Sequence, residues 1–135
     1  MNTGQRAIRT TTFVTLLLLS WGCMIAMELA DAGNAYADAV NGKWCRQEGG
    51  RVVDVIKLTS TAHGLTVTLH EGENAPKYGE GFGMLKDNNL SLAIILLKTN
   101  KMVFVEGTVE GSNLRWRSFN LDGTFRWEGS YYKCN

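Results

Sequence analysis

The chain has 135 residues, 20% of them charged, and its fourteen Lys and Arg against thirteen Asp and Glu leave a formal net charge of +1 at pH 7. This length is typical of a single domain around one hydrophobic core. Nucleic acids and anionic membrane surfaces are bound through a strong basic field, so the near-neutral charge argues against both as the main partner.

The first 37 residues have the organisation of a signal peptide. Two arginines and no acidic residue precede an apolar run over residues 13–27. That run has the length of a signal-peptide core and is short for a membrane span. Residues 35–37, Ala-Tyr-Ala, place small side chains at the two positions that signal peptidase inspects. The sequence therefore predicts a signal peptide over residues 1–37 and a periplasmic or secreted domain over residues 38–135, with no membrane span in this mature form.

Two other fates of the N-terminal segment stay open. The run Ser20-Trp21-Gly22-Cys23 is similar to a bacterial lipobox, in which the cysteine becomes the lipidated first residue. Ser20 and Trp21 depart from the lipobox pattern. A lipid anchor through Cys23, or retention of the apolar run as an uncleaved anchor, are thus the alternatives to cleavage.

Cleavage removes Cys23 and leaves two cysteines, Cys45 near the start of the mature domain and Cys134 at its end. An even pair in an oxidising compartment predicts a disulfide. A covalent cross-link stabilises a domain this small, because such a domain buries only roughly 60 to 70% of the surface that its unfolded chain exposes. In the loop-entropy model, a bridge across almost the whole chain contributes on the order of 4 to 5 kcal/mol.

Short runs of alternating apolar and polar residues fill the mature chain, and Gly, Asn and Asp separate them, which is typical of an antiparallel meander. Predicted strands cover residues 43–47, 52–58, 65–70, 81–86, 90–97, 102–109, 114–119 and 125–133. An open sheet of this kind leaves two exposed edges, which closure into a barrel removes. We therefore predict an all-β fold, a small antiparallel meander closed into a roughly eight-stranded barrel.

One predicted strand departs from the alternation. The segment Leu90 to Leu97 (LSLAIILL) is apolar on both faces, so Ala93, Ile95 and Leu97 fall on the outside of the predicted barrel. Two interpretations remain open. Either a terminal segment or a loop covers this strand, or the strand forms an oligomer interface such as a homodimer.

Gly42-Lys43-Trp44 at the start of the first predicted strand resembles the Gly-x-Trp opening of lipocalins. In that family the Trp plugs the closed end of the barrel, and a basic side chain packs over it, which here would be Arg126 or Lys133. Avidin-like barrels, which are also calycin-type, begin in the same way and run as eight-stranded meanders. The chain is much shorter than lipocalins and lacks their C-terminal helix. The resemblance implies the barrel and, by analogy, a role in binding a small ligand or a protein.

The sequence carries no recognisable catalytic or metal-binding motif. His63 and His70 have no Cys, Asp or second His at metal-ligand spacing, and there is no Gly-x-Ser-x-Gly elbow. Asp54 stands between two valines, and we interpret it as lying on the outer face or at a rim. We therefore predict that the protein is not an enzyme and uses no cofactor.

Glycines at 79, 81 and 83 are similar to a phosphate-cradling loop, but no helix follows to present a positive N-terminal end. Alternate glycines in a strand mark sharp curvature or the close approach of another group, which is our preferred interpretation, with an opened pocket as the alternative. The longest predicted loop, residues 71–80, precedes and overlaps them and holds Pro76 and Tyr78. Loops at a barrel mouth are where ligands usually enter.

The richest polar cluster lies on the last two predicted strands. If they pair as a hairpin, three arginines share one face and two tryptophans the other. These residues are Arg115, Arg117, Arg126, Trp116 and Trp127. Guanidinium groups bind carboxylate or phosphate bidentately, so the arginines are a candidate anion-binding or partner-docking patch. The alternative is a surface ion-pair ladder with Glu106, Glu110 and Glu128.

These patterns favour an exported β-barrel that binds a small apolar or amphipathic ligand or an envelope component. The alternative is a protein-interaction module, such as an enzyme inhibitor or an envelope assembly factor, that acts through its outer face. The candidate ligand or partner contacts are Trp44, Tyr78, Arg115, Trp116, Arg117, Arg126 and Trp127.

Overall fold

Eight antiparallel strands follow one another around a closed barrel in a computed structural model that describes residues 36–135. The strands are β1 (Gly42–Glu48), β2 (Arg51–Thr61), β3 (Gly64–His70), β4 (Lys77–Lys86), β5 (Asn89–Leu96), β6 (Lys101–Glu110), β7 (Asn113–Asn120) and β8 (Phe125–Cys134). The predicted fold class and all eight predicted strands are confirmed. The predicted signal peptide lies outside the described residues except for its last two, and so does Cys23. Within the described range, no helix has the length and apolar character needed to cross a membrane.

The start of β4 is the largest difference from the predicted strands. The strand begins at Lys77 rather than at residue 81, so the loop predicted over residues 71–80 is shorter than expected. Tyr78 therefore lies on a strand. Glycine is depleted in strands, and the sequence around Gly79 therefore did not predict the start of β4.

Gly81 and Gly83 allow β4 to approach β5 closely. A Cβ on either glycine would overlap a backbone carbonyl oxygen of β5, that of Ala93 or of Ser91. Only glycine fits where another backbone comes so near, and such positions mark a strongly curved sheet. The preferred interpretation of the alternate glycines, curvature and close approach, agrees with this packing.

Trp44 fills one end of the barrel, which we call the closed end. Its side chain is fully buried, and its Nε1 donates a hydrogen bond of 2.9 Å to the carbonyl of Val40, in a short helix over residues 36–40. Lys133 lies over the indole with its Nζ 5.5 Å from the ring centre, and it donates to a carbonyl of the same helix at 2.8 Å. The basic residue that the Gly-x-Trp resemblance implies is thus Lys133, whereas Arg126 lies at the other end, the open end.

A disulfide joins Cys45 and Cys134, whose Cα atoms are 5.9 Å apart, which confirms the predicted pair. It lies at the seam where the last strand returns to the first. β1 and β8 are paired at only three positions, from Lys43 opposite Cys134 to Cys45 opposite Tyr132, whereas β1 and β2 are paired at seven. The covalent bond therefore ties the shortest seam of the barrel.

Candidate functional site

The open half of the barrel contains a cavity of about 300 Å³. The period of two along each strand turns apolar side chains into it from four strands. These are Leu69 of β3, Ile94 and Leu96 of β5, Val103 and Val105 of β6, and Trp116 of β7. Ligand pockets in proteins measure roughly 300–1,000 Å³ and are mostly apolar with a few polar groups. The cavity therefore has the size and the lining of a pocket for a small ligand.

A buried carboxylate lies in the cavity wall. Asp54 is only 8% exposed, and its two oxygens each accept one hydrogen bond, from the hydroxyl of Tyr131 at 2.7 Å and from that of Tyr78 at 3.0 Å. Burial, followed by the charge of Asp54 and the hydrogen bond to it, raises the pKa of both tyrosines. Both phenols therefore remain protonated donors near neutral pH, and they connect β2 with β4 and β8 across the barrel.

The inward direction of Asp54 corrects the interpretation from the sequence, which placed it on the outer face or at a rim. Along β2 the inward residues are Leu58, Ile56 and Asp54, in strict alternation. Val53 is left out of the pairing between β1 and β2, which is a β-bulge. Counting the period of two back from Ile56 and Leu58 would have predicted the inward carboxylate, but the valines on either side of Asp54 suggested the opposite phase.

Trp127 closes the cavity wall where β1 and β8 separate. The six-membered ring of its indole lies against Gly129, where a Cβ would overlap it. The guanidinium of Arg46 lies over the indole, 5.2 Å from the ring centre, as in a cation–π contact. β1 and β8 form no backbone pairs at this level. The contacts of Trp127 with Gly129 and with Arg46 connect the two strands there instead.

Arg46 has one ion-pair partner within residues 36–135. It forms an ion pair with Glu48, while its Nε is buried and has no hydrogen-bond partner among residues 36–135. Burial disfavours its charged form, but the hydrogen bond and charge of Glu48, with further help from Asp54, hold the pKa of Arg46 above its usual value. Arg46 therefore presents a permanent positive charge at the cavity.

Arg126 reaches the cavity because of a second β-bulge. β8 pairs Trp127 and Phe125 with successive residues of β7 and leaves Arg126 between them without a place in the ladder. The bulge turns Arg126 into the cavity lining and Phe125 to the outside, against Phe119, with ring centres 6.2 Å apart. Plain alternation had placed Arg126 on the same face as Arg115 and Arg117. In the part of the chain that the structure describes, Arg126 forms no ion pair.

Arg115 and Arg117 lie on the outer face of β7, away from Arg126. Glu128 lies between them, with its Oε1 2.7 Å from Arg115 Nη2 and its Oε2 3.6 Å from Arg117 Nε. Glu106 approaches Arg117 from the other side at 3.8 Å. The three arginines therefore do not form one patch, and the outer two belong to the ion-pair ladder that was the alternative. Exposed pairs of this kind contribute only about 0–1 kcal/mol.

A row of apolar side chains, which we call the outer aromatic row, crosses the outside of β4 to β8. The register aligns its members Phe82, Ala93, Phe104, Phe119 and Phe125 on successive strands. Phe82 is 70% exposed, Phe104 46% and Phe125 57%. Ile95 and Met102 form the neighbouring pair and are also exposed. The apolar outer face predicted for Leu90 to Leu97 thus extends over four more strands.

Of the residues singled out from the sequence, the structure brings four together around the cavity: Tyr78, Trp116, Arg126 and Trp127. Trp44 fills the closed end. His70 has a local role, since its Nδ1 lies 2.9 Å from the carbonyl oxygen of Ala75 and its Nε2 lies 3.0 Å from the Thr68 hydroxyl. Within residues 36–135, no three His, Cys, Asp or Glu side chains form a group that could hold a metal ion. Sequence analysis missed Arg46, Asp54 and Tyr131 as cavity residues.

The sequence matches no protein-family model, and neither a curated protein nor a solved structure matches it. The closed meander of eight strands is consistent with the calycin-like architecture that the Gly-x-Trp resemblance implies. A shared architecture does not by itself establish family membership or function. The function must therefore be argued from the cavity and the surface.

Proposed function

We propose that the protein is an exported β-barrel that binds a small apolar or amphipathic ligand, or a piece of an envelope component, in the cavity at its open end. The interior of an eight-stranded barrel is either filled by side chains or holds one small ligand. Here Trp44 and its neighbours fill the closed half, while the open half keeps a space of about 300 Å³. This hollow half, with its apolar lining, is the observation that carries the proposal.

Two features support export. The Cys45–Cys134 disulfide is the kind of bond that persists in the periplasm or outside the cell. The closed end is also completed by the carbonyl oxygens of Asp38, Ala39 and Val40, which accept hydrogen bonds from Lys133 and Trp44. All three carbonyls follow the cleavage site predicted after residue 37 and belong to the mature chain, although cleavage there removes the first two residues of the helix over residues 36–40.

The polar groups of the wall favour a binding role over a catalytic one. The hydroxyls of Tyr78 and Tyr131 are both directed at Asp54, and Trp127 is held between Gly129 and Arg46. A wall fixed in this way keeps the cavity open before a ligand arrives, which lowers the entropic cost of binding.

Native mass spectrometry of the protein purified from its host tests the proposal, because a bound small molecule adds a defined mass. A second measurement uses the neutral fluorescent probe N-phenyl-1-naphthylamine. Leu96→Trp places a larger side chain in the cavity, whereas Leu97→Trp, at the next residue, changes an exposed position and serves as the control. We expect probe binding in wild type and Leu97→Trp, and at least about a tenfold loss in Leu96→Trp. Equal binding by both variants would place the probe elsewhere and contradict the proposal.

The outer aromatic row favours a second candidate, a protein-interaction module such as an inhibitor, an envelope assembly factor or a homodimer through Leu90 to Leu97. Monomeric soluble proteins rarely expose large contiguous apolar patches. For the homodimer, we expect sedimentation velocity to show a dimer that Phe104→Ser dissociates and that Lys57→Ser, on an exposed site of β2, leaves intact. A wild type that stays monomeric at high concentration would eliminate the homodimer.

A further inference from the structure

We infer that the ligand of this cavity is an amphiphile with one anionic head group, a carboxylate, sulfate or phosphate ester, which binds to Arg126 and Arg46 at the mouth while its apolar part enters the barrel. This inference rests on the proposed binding function and adds the chemical class of the ligand.

The charges that line the cavity are unequal in number. Three are positive, on Arg46, Lys98 and Arg126, and one is negative, on Asp54. Lys98 has an acidic partner, Glu71, at 3.0 Å, and Arg46 pairs with a glutamate of its own strand. Arg126 has no such partner among the described residues. With both glutamates counted, the charges around the cavity balance, and Arg126 is the lining cation that has no ion-pair partner within residues 36–135 and is available to a ligand anion.

The position of Arg126 is not explained by the packing of the barrel. Arg126 is the unpaired residue of the bulge, so it contributes no backbone pairing between β7 and β8. Bulges at barrel rims commonly re-aim a side chain toward a site. Arg126 is exposed at the mouth and has no carboxylate partner within residues 36–135, so its guanidinium group is available for bidentate binding of an oxyanion.

The guanidinium of Arg46 adds a second positive group to the cavity lining. The indole of Trp127 lies against it, with the ring centre 5.2 Å away, and shields one of its faces from water. An anion at the mouth therefore meets two guanidinium groups, and charge-assisted hydrogen bonds are strong where water is partly excluded.

Asp54 fixes the direction of the ligand. Its negative charge lies in the wall on β2, directly opposite Arg46 in the ladder, and accepts hydrogen bonds from Tyr78 and Tyr131. An anionic group is repelled by this carboxylate, so it stays on the Arg126 side of the mouth. A cationic head group is the opposite case, because Arg126 repels it and the carboxylate already accepts two hydrogen bonds. The apolar chain therefore points inward, toward Val105 and Trp116.

The test compares probes with the same eight-carbon chain on the full-length protein. Octanoate and octyl phosphate are anionic, 1-octanol is neutral, and octyltrimethylammonium is cationic. Each is titrated directly by calorimetry and by displacement of N-phenyl-1-naphthylamine. We expect the two anions to bind at least about tenfold more tightly than the other two probes, and raising the salt from about 0.05 to 0.5 M to reduce this preference. Octyl phosphate and octanoate also distinguish a phosphate-ester source of the ligand from a free carboxylic acid.

Arg126→Gln should remove the preference, about tenfold for octanoate, and leave 1-octanol unchanged. Arg115→Gln, on the outer face, is the matched control and should change neither. If 1-octanol binds as tightly as octanoate, or if the two variants behave alike, the anionic head group is wrong while the binding function stands. If neither octanoate nor the neutral probe binds to wild type, the binding function fails and this inference fails with it.

Discussion

Loss of the Cys45–Cys134 disulfide should remove a large part of the stability of the barrel. The two cysteines are 89 residues apart in the sequence, and for a loop of this length the chain-entropy relation gives about 4.6 kcal/mol at 25 °C. Single domains have a net free energy of unfolding of roughly 5–15 kcal/mol. A barrel whose first and last strands share only three paired positions has little else at that seam to compensate.

The assay is urea unfolding of the oxidised protein, the reduced protein and the variant with alanine at both cysteines. With a slope of roughly 1–3 kcal/mol per molar urea, the midpoint should fall by about 1.5–4.5 M. Reduced wild type keeps both sulfur atoms, so it separates the loss of the covalent tie from the loss of packing at the buried Cys45. The alanine variant should therefore unfold at a somewhat lower urea concentration than the reduced protein, and the difference measures the packing lost at Cys45.

A fall of less than about 1 kcal/mol in both proteins would refute the reasoning, because it would mean that the bond does not restrict the unfolded chain. Titration of free thiols in the native, exported protein gives an independent check. Two reactive thiols per mature chain would show that Cys45 and Cys134 are not joined, and the argument for an oxidising compartment would fail with the stability estimate.

Tyr131→Phe removes one of the two donors to a buried carboxylate, so we expect a loss of roughly 1.5–3 kcal/mol in urea unfolding; an unchanged midpoint would mean that the carboxylate is satisfied in another way. Because the pKa of Tyr78 and that of Tyr131 are raised above the ordinary value of 10.0, their contribution to stability is present below pH 10 and is lost as the pH rises further. The urea midpoint should therefore fall above pH 10, and less steeply in the double phenylalanine variant. Trp44→Ala empties the closed end and should cost about 3–5 kcal/mol. Lys133→Met removes an exposed cation–π contact and the hydrogen bonds from Nζ to the carbonyls of Asp38 and Ala39, and it should cost less, about 1–2 kcal/mol.

Periodicity predicted the parts of the fold in which the strands are regular. β3 is the clearest case, since Leu65, Val67 and Leu69 alternate with polar residues and all three are buried. The disulfide was predictable from the parity of the cysteines and from the neighbourhood of the first and last strands in a closed barrel. These features depend on short-range patterns and on chain topology, and both are visible in a sequence.

The cavity was less predictable because two β-bulges determine it. An extra residue in one strand shifts the alternation by one position and moves the following side chains to the opposite face. This is how Arg126 reaches the cavity and Phe125 the surface. Next to the bulge in β2, the valines on either side of the buried Asp54 favoured an outward direction for its side chain. A bulge has no strong sequence signature, so Arg126 was predicted on the same face as Arg115 and Arg117, and Asp54 on the outer face or at a rim.

The disulfide and the cavity are connected through the seam between β1 and β8. Backbone pairing joins these strands only near the closed end, where the covalent bond also lies. The bond secures closure there, so the strands are free to diverge toward the mouth, and the gap between them is occupied by Trp127 under the guanidinium of Arg46. A longer ladder would bring the end of β1 against Gly129 and displace the indole that lies on it. The short, covalently tied seam is therefore what makes room for a cationic, aromatic wall beside the cavity.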